Sequence, residues 1–269
     1  MSDSPTKIAV TKHHGLGNDF LVLANPPSHI DLAALAVRLC DRRRGVGADG
    51  LLICTDRAGV DAVMVLYNAD GSRAEMSGNG IRVFAQALAQ RRGSLDPVTI
   101  ATDAGDRVVQ LWSTSDAATV LASVPMGPAR PIDPPANWSA LGLDAMRPVV
   151  HLSLGNPHSV VAVDDVRDVD LLAAGSIVPN VNLEIIEAGP EPHAITMRVH
   201  ERGAGITEAC GTGATAAAHA AARWGLVDAD AREITVHMDG GDATVVLGNE
   251  LTLIGPATYI ATITVDLDG

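Results

Sequence analysis

Short apolar runs bounded by glycine, asparagine and aspartate dominate the chain, a pattern typical of β-strands joined by tight turns. Helical spacing of apolar residues is confined to a few stretches. One covers Leu32–Cys40 after Asp31, which suits an N-cap, and another covers Ile81–Gln90. A third, Ala214–Trp224, ends at Gly225 and is almost entirely alanine, which predicts a helix enclosed by strands.

The strand-like runs fall into two groups along the chain. Those predicted are Ile8–Val10, Phe20–Leu23, Leu51–Cys54, Ala62–Tyr67, Val98–Thr102, Arg107–Trp112, Ile234–Met238, Ala243–Leu247, Leu251–Ile254 and Tyr259–Val265. Between the groups, residues 125–148 hold six of the fifteen prolines. Because proline disfavours regular structure, we expect the connection between two domains in this segment.

The second half of the chain repeats motifs of the first half in the same order. Glu75-Met-Ser-Gly-Asn-Gly-Ile81 returns as Glu208-Ala-Cys-Gly-Thr-Gly-Ala214, so that Ser77 corresponds to Cys210. The other recurring blocks pair Leu16–Asn18 with Leu154–Asn156, Met64–Gly80 with Met197–Gly213, and Val98–Asp106 with Ile234–Asp242. Several blocks in register indicate a duplication.

The duplication predicts an α+β fold of two pseudo-symmetric domains, each a curved, mostly antiparallel sheet or barrel around a central helix. We expect an N-terminal domain over residues 1–125, with 258–269 as a candidate closing strand. The C-terminal domain then covers residues 126–257, and the active site lies in the cleft between them.

Composition limits the classes of function. A net charge of −13 argues against nucleic acid and anionic membranes as partners, since both bind basic surfaces. The chain lacks a long apolar run, which predicts a soluble cytoplasmic protein. Cys40, Cys54 and Cys210 are widely spaced and odd in number, so neither a disulfide framework nor a metal site is expected. The first two cysteines are expected in the core.

The repeated motif places a small nucleophile before Gly-x-Gly at the start of a helix. Free N–H groups there bind a carboxylate, and the same field is expected to lower a thiol pKa. Two such helix starts related by pseudo-symmetry would place Ser77 and Cys210 on opposite sides of one carbon. Opposed proton donors and acceptors are what inversion of a stereocentre requires.

The sequence resembles the diaminopimelate epimerase family over nearly its whole length. The carrying motifs are Gly15–Phe20, Gly45–Gly50, Asn68–Ser72, Ser77–Arg82, Gly155–His158, Asn182, Glu201–Gly203 and Cys210–Gly213. The resemblance implies an isomerase that interconverts LL- and meso-2,6-diaminopimelate by two-base proton transfer, in lysine and peptidoglycan biosynthesis. It implies no pyridoxal phosphate or other cofactor, no metal, and a homodimer.

The resemblance also implies roles for single residues. Cys210 would be one base, and Ser77 stands where the family has the other, a cysteine. His158 and Glu201 match positions that support the two bases, and Arg202 matches the arginine that pairs with the distal carboxylate. Substrate-binding positions are matched by Asn18, Asn68, Gly78, Asn79, Asn156, Asn182, Gly211 and Thr212.

Ser77 is the departure from the family pattern, because a hydroxyl is a far weaker acid than a thiol and needs an adjacent base. Three interpretations stay open: an engineered replacement of cysteine, a natural serine that transfers the proton slowly, or a related enzyme with altered chemistry. The alternative functions are therefore a superfamily isomerase or dehydratase, and a catalytically impaired diaminopimelate-binding paralogue.

Overall fold

The computed structural model describes residues 7–74 and 77–267. The chain divides into two compact units, the first reaching Ala122 and resuming at Pro256, the second spanning Ser123–Gly255. By this division the proline-rich residues 125–148 lie within the second unit, and the strand that begins before them continues past the break to Gly127. The assignment of two independent domains stays a prediction.

The described residues form seventeen strands, four α-helices and one short 3₁₀ helix. The strands are β1 Lys7–Gly15, β2 Asn18–Ala24, β3 Gly50–Thr55, β4 Ala62–Asn68, β5 Arg73–Ala74, β6 Val98–Thr102, β7 Gly105–Ser113, β8 Thr119–Gly127, β9 Arg130–Pro131, β10 Val149–Ser153, β11 Pro157–Ala162, β12 Asn182–Ala188, β13 Ala194–Glu201, β14 Gly205–Thr207, β15 Glu233–Met238, β16 Gly241–Val246 and β17 Leu251–Asp266. The helices are α1 Leu32–Cys40, α2 Gly78–Arg92, α3 Leu171–Ile177 and α4 Gly211–Trp224, with the 3₁₀ turn at Trp138–Leu141.

The first unit is a mixed sheet that buries α2. Antiparallel pairing joins β1 to β2, β3 to β4 and β6 to β7, whereas β2–β3 and β4–β6 are parallel. The far end of β17 pairs with β1 over Lys7–Asp266 to His14–Thr258. Helix α1 packs Leu35 and Leu39 into a separate cluster of buried side chains on the same unit.

The second unit repeats this pairing order around α4. Strands β10–β11, β12–β13 and β15–β16 are antiparallel, and β11–β12 and β13–β15 are parallel. Ala214, Ala216, Ala217 and Ala218 are completely buried. Because alanine side chains are small, the strands of this unit can approach the helix closely on all of its faces. The prediction that strands enclose this helix is confirmed.

The ends of the two central helices follow the sequence signals closely. Gly93 and Gly225 close α2 and α4 in the left-handed conformation, each donating its N–H to the carbonyl four residues earlier. Asp31 caps α1 by accepting from Ala33 and Ala34. The predicted α+β class with duplicated, mostly antiparallel sheets is therefore confirmed, although each unit also contains two parallel pairings.

Candidate active site

Ser77 forms the N-cap of α2. Its backbone is extended, with φ −139°, and its Oγ accepts a hydrogen bond from the Gly80 N–H at 3.0 Å. This bond satisfies one of the four N–H groups that a helix start leaves unpaired. Glu75 and Met76 of the repeated motif lie outside the described residues.

Cys210 forms the N-cap of α4 in the same manner. Its φ is −129°, and its Sγ accepts from the Gly213 N–H at 3.4 Å. Only 4% of the residue is exposed. The two helix starts are therefore local copies of one structure, with oxygen in the first unit and sulfur in the second.

The first unit surrounds its helix start with a directed set of hydrogen bonds. Arg82 Nη2 donates to Asn79 Oδ1 at 2.8 Å, and Asn79 Nδ2 donates to Asn18 Oδ1 at 3.2 Å. Asn18 Nδ2 then donates to Asp49 Oδ2 at 2.7 Å. Two predicted substrate-binding residues, Asn18 and Asn79, are thus brought together next to Ser77.

Arg82 has a larger role than the sequence indicated. It is completely buried and also donates to the carbonyls of Gly78 at 3.1 Å and Pro256 at 3.4 Å. A buried guanidinium needs such acceptors, since desolvation penalises an unpaired charge. Asn68 lies at the exposed end of β4, where its side chain donates to Ser72 Oγ at 3.0 Å.

The second unit surrounds Cys210 with different chemistry. His158 Nδ1 lies 2.6 Å from Glu184 Oε1, and His158 Nε2 lies 3.0 Å from Asn156 Oδ1. Asn156 Nδ2 donates to Thr212 Oγ1 at 3.2 Å, and that oxygen lies 3.5 Å from Cys210 Sγ. One hydrogen-bonded network therefore joins four of the predicted site residues, His158, Asn156, Thr212 and Cys210. Glu184, which was not among the predicted residues, belongs to the same network.

The thiol of Cys210 does not have the lowered pKa that the helix start predicted. Burial raises its pKa well above the ordinary value, and the nearby carboxylates of Glu201 and Glu184 raise it further. The hydrogen bonds from Thr212 and Gly213 oppose this shift without overcoming it. The raised pKa favours the protonated thiol over the thiolate.

Three further predicted residues lie along the edge of β12 and β13. Asn182 donates to the Pro157 carbonyl at 3.1 Å and accepts from the Arg202 backbone N–H at 2.9 Å. Thr207 Oγ1 donates to Glu201 Oε1 at 2.5 Å. The exposed guanidinium of Arg202 donates to no other described residue, so its charge is available to a ligand.

Gly213 makes the close packing at the start of α4 possible. A Cβ atom there would lie 2.7 Å from Glu184 Oε1 and 3.3 Å from Cys210 Sγ, closer than real contacts allow for the carboxylate. The glycine therefore lets a carboxylate and a thiol flank the first turn of the helix. At the corresponding Gly80, the neighbours are Ser77 and Phe20.

Among the residues that the structure describes, metal-binding side chains form no ligand cluster at these helix starts. Within the described ranges, the one group of three potential ligands is His193, Asp228 and Asp230, which are all exposed and include no predicted site residue. Cys40 and Cys54 are buried in the first unit, and burial raises the pKa of the Cys40 thiol to about 12. None of the helices that the structure describes has the length and apolar character needed to span a membrane.

Comparison with known proteins identifies the family. The sequence profile described as diaminopimelate epimerase matches residues 10–132 and 150–260. The chain belongs to the diaminopimelate epimerase family. It is 40% identical to the diaminopimelate epimerase of Magnetococcus marinus, over 93% of this chain and 94% of that protein. Identity to the Rhodococcus jostii diaminopimelate epimerase is also 40%, over 95% and 96% of the two chains.

Solved structures show that the epimerase fold extends to more distant proteins. A predicted epimerase from Pseudomonas aeruginosa aligns with a TM-score of 0.75 at 14% identity, over 96% of this chain and 99% of that one. A PhzF-family phenazine biosynthesis protein from Bacillus anthracis aligns with a TM-score of 0.74 at 16% identity, over 97% and 99%. At these identities the likeness concerns the fold alone.

One residue of this site, Glu184, was not revealed by the sequence patterns. Glu184 was not among the predicted site residues of this family member, although it is completely buried and directly bonded to His158. A signal was present, because β12 carries Glu184 between the apolar residues Leu183 and Ile185. Phe20 pairs with Gly50 in the first unit as His158 pairs with Asn182 in the second. Leu52 therefore holds the position in the first unit that is equivalent to Glu184.

Proposed function

We propose that this protein is a cofactor-independent epimerase that interconverts LL-2,6-diaminopimelate and meso-diaminopimelate. Relatives named for this activity, at 40% identity over almost the whole chain, support the reaction and the substrate. The observation that carries the mechanism is the duplicated helix start with a capping nucleophile in each unit.

The proposed reaction transfers a proton at the α-carbon of the amino acid. One capping residue removes the α-proton from one face, and the other returns a proton to the opposite face. The N–H groups of Gly78, Asn79, Gly211 and Thr212 hold the α-carboxylate, whose charge is stabilised by helix N-termini. Arg202 pairs with the distal carboxylate by two parallel hydrogen bonds.

Ser77 makes the two directions of the reaction unequal. The raised pKa of Cys210 favours its protonated form, so we assign Cys210 as the acid at the start of the reaction. Ser77 must then act as the base, which a hydroxyl does poorly without help. We infer a slow turnover, with His158 and Glu201 as the groups that support proton transfer.

The substitution Ser77→Cys tests this function. A thiol in place of the hydroxyl should raise the rate of conversion of LL- to meso-diaminopimelate by at least about tenfold, because it supplies a competent base. The readout is the isomer ratio by chiral chromatography, with Ser176→Cys on the exposed part of α3 as the matched control. No conversion by either protein, with diaminopimelate still bound, would support a binding paralogue instead.

We extend the proposal to a cytoplasmic homodimer that binds neither nucleic acid nor membranes. The net charge of −13 supports the last two points, since both partners favour basic surfaces. Light scattering coupled to size-exclusion chromatography measures the oligomeric state. A mass equal to one chain at micromolar concentration would contradict the dimer.

A further inference from the structure

Glu184 is a buried acidic residue for which the proposed reaction has no assigned role. It is completely buried on β12, and its Oε1 contacts His158 at 2.6 Å. Its second oxygen, Oε2, has no hydrogen-bond partner among the described residues. Burying a polar atom without a partner costs free energy, so a residue of this kind needs an explanation beyond packing.

The partners of His158 determine where its hydrogens lie. Asn156 Oδ1, which lies 3.0 Å from His158 Nε2, is a carbonyl oxygen and can only accept. Nε2 must therefore carry a hydrogen. The remaining proton lies in the short bond between His158 Nδ1 and Glu184 Oε1, and the histidine–glutamate pair is neutral overall whichever atom holds it.

The direction of donation continues from His158 to the sulfur. The amide of Asn156, oriented by His158, donates through Nδ2 to Thr212 Oγ1 at 3.2 Å. The Thr212 oxygen thus accepts from Asn156, which leaves its own hydrogen free for Cys210 Sγ at 3.5 Å. A hydroxyl that accepts one hydrogen bond becomes a stronger donor in the next.

We propose that Glu184 is a positioning residue: through His158, Asn156 and Thr212 it directs the Thr212 hydroxyl hydrogen toward Cys210 Sγ. We name Glu184, His158, Asn156 and Thr212 the relay. The relay favours the thiolate form of Cys210, and its importance for turnover rests on the proposed function, in which Cys210 is one of the two bases.

The relay works against a strong opposing effect. Burial, Glu201 and Glu184 all raise the pKa of Cys210, and only the bonds from Thr212 and Gly213 lower it. Loss of the repulsion from Glu184 would by itself lower the pKa of Cys210 and speed its reaction. Slower reaction of the sulfur in a Glu184 variant therefore reports the lost direction of the hydrogen bonds rather than lost repulsion.

The first experiment measures the direction of the relay itself. In protein labelled with ¹⁵N-histidine, long-range ¹H–¹⁵N spectra distinguish a protonated ring nitrogen from a bare one, and His158→Gln assigns the signal. We expect a protonated Nε2 at pH 7. A bare Nε2 would mean that the Asn156 amide is reversed, and it would overturn the proposal.

The second experiment measures the consequence at the sulfur. Alkylation of Cys210 by iodoacetamide is followed from pH 6 to 10 by peptide mass spectrometry, with Cys40 and Cys54 as internal references. Thr212→Val should slow alkylation about tenfold at pH 8 and shift the profile to higher pH, because a hydrogen bond to a charged group is lost. Thr212→Ser keeps the hydroxyl and should remain within about twofold of the parent protein.

Variants of Glu184 complete the test. Glu184→Leu places the residue of the first unit at this position and should slow alkylation about threefold or more, since the Asn156 amide is then free to reverse. Glu184→Gln donates to His158 Nδ1 and should retain the parent rate, as should the exposed Glu233→Gln. A parent-like rate in either Glu184→Leu or Thr212→Val would overturn the proposal. Both experiments omit substrate, so they succeed or fail independently of epimerase activity.

Discussion

The starts of α2 and α4 have the same N-cap backbone conformation. They differ in the direction of the side-chain hydrogen bonds around them. At α2, donation begins at the buried cation of Arg82 and runs through Asn79 and Asn18 to Asp49, away from the capping residue. At α4, the proposed relay donates from His158 toward Cys210 along the contacts among His158, Asn156, Thr212 and Cys210. A helix start capped by a serine or cysteine side chain is present in both units, while the surrounding side chains differ.

The divergence is visible at equivalent positions in the parallel strand pairs. Phe20 pairs with Gly50 in the first unit, where His158 pairs with Asn182 in the second. The aromatic ring of Phe20 thus lies near the start of α2, which Ser77 caps. The second unit has the polar side chains of His158 and Asn182 at the equivalent positions. From this difference we propose that the second unit mainly supports the proton chemistry, and the following predictions test the proposal.

The largest effect is expected from Cys210→Ser. The hydroxyl keeps the N-cap, as Ser77 shows at α2, so the helix should remain folded. Loss of the sulfur should lower the rate of epimerisation by a factor of about 10²–10⁴, the usual contribution of a positioned acid or base. Activity assays with circular dichroism as a folding control measure this. A variant with more than a tenth of parent activity would break the comparison.

A smaller effect is expected on stability, where substitutions at matching buried positions of α2 and α4 should change the free energy of unfolding by different amounts. Arg82→Met removes at least the three hydrogen bonds that Arg82 donates to described residues and should lower the free energy of unfolding by about 3 kcal/mol. Thr215→Val at the matching position of α4 removes one bond to the Gly211 carbonyl and should cost less than about 1 kcal/mol. Urea denaturation measures both, and equal losses would contradict the difference.

The smallest effect concerns pH. Burial alone would lower the pKa of His237, but hydrogen bonds to Glu191 and Asp242, at 2.9 and 2.8 Å, outweigh it and raise the pKa above 6.5. A raised folded-state pKa stabilises the protein fully below the unfolded pKa, and this stabilisation is lost as pH rises through the folded value. The contribution should be below about 1 kcal/mol.

His237→Gln is the variant to compare with the parent protein, because it removes the titratable ring. The first unit has Ala101 at the equivalent position. The difference in unfolding free energy between parent and variant should be larger at pH 5.5 than at pH 8.5. A difference that grows with rising pH would show that the sign is wrong.

Much of the fold was predictable because its signals are local. Asp31, Gly93 and Gly225 mark helix ends through bonds to nearby backbone atoms, and all three behave as expected. The parallel pairings were not predictable in this way, because they join residues far apart in sequence. The chain divides after Ala122, within a strand that continues to Gly127, whereas the prolines indicate a connection in residues 125–148, and that connection stays a prediction.

The site was predictable in part. Motif positions such as Asn156, His158 and Thr212 do form a network with Cys210. The direction of the Cys210 pKa shift was wrong, because burial and two carboxylates depend on tertiary packing that the motif does not encode. Arg82 and Glu184 were missed for the same reason, since only the folded structure shows that their charges are buried.

The central claim is that Ser77 and Cys210 are unequal proton-transfer groups acting on one α-carbon. The most direct measurement is the initial rate of deuterium incorporation at that carbon in D₂O, determined separately for LL- and meso-diaminopimelate. The account predicts faster incorporation into one stereoisomer than into the other, and a smaller difference in Ser77→Cys. Equal and rapid incorporation into both stereoisomers by the Ser77 protein would contradict it.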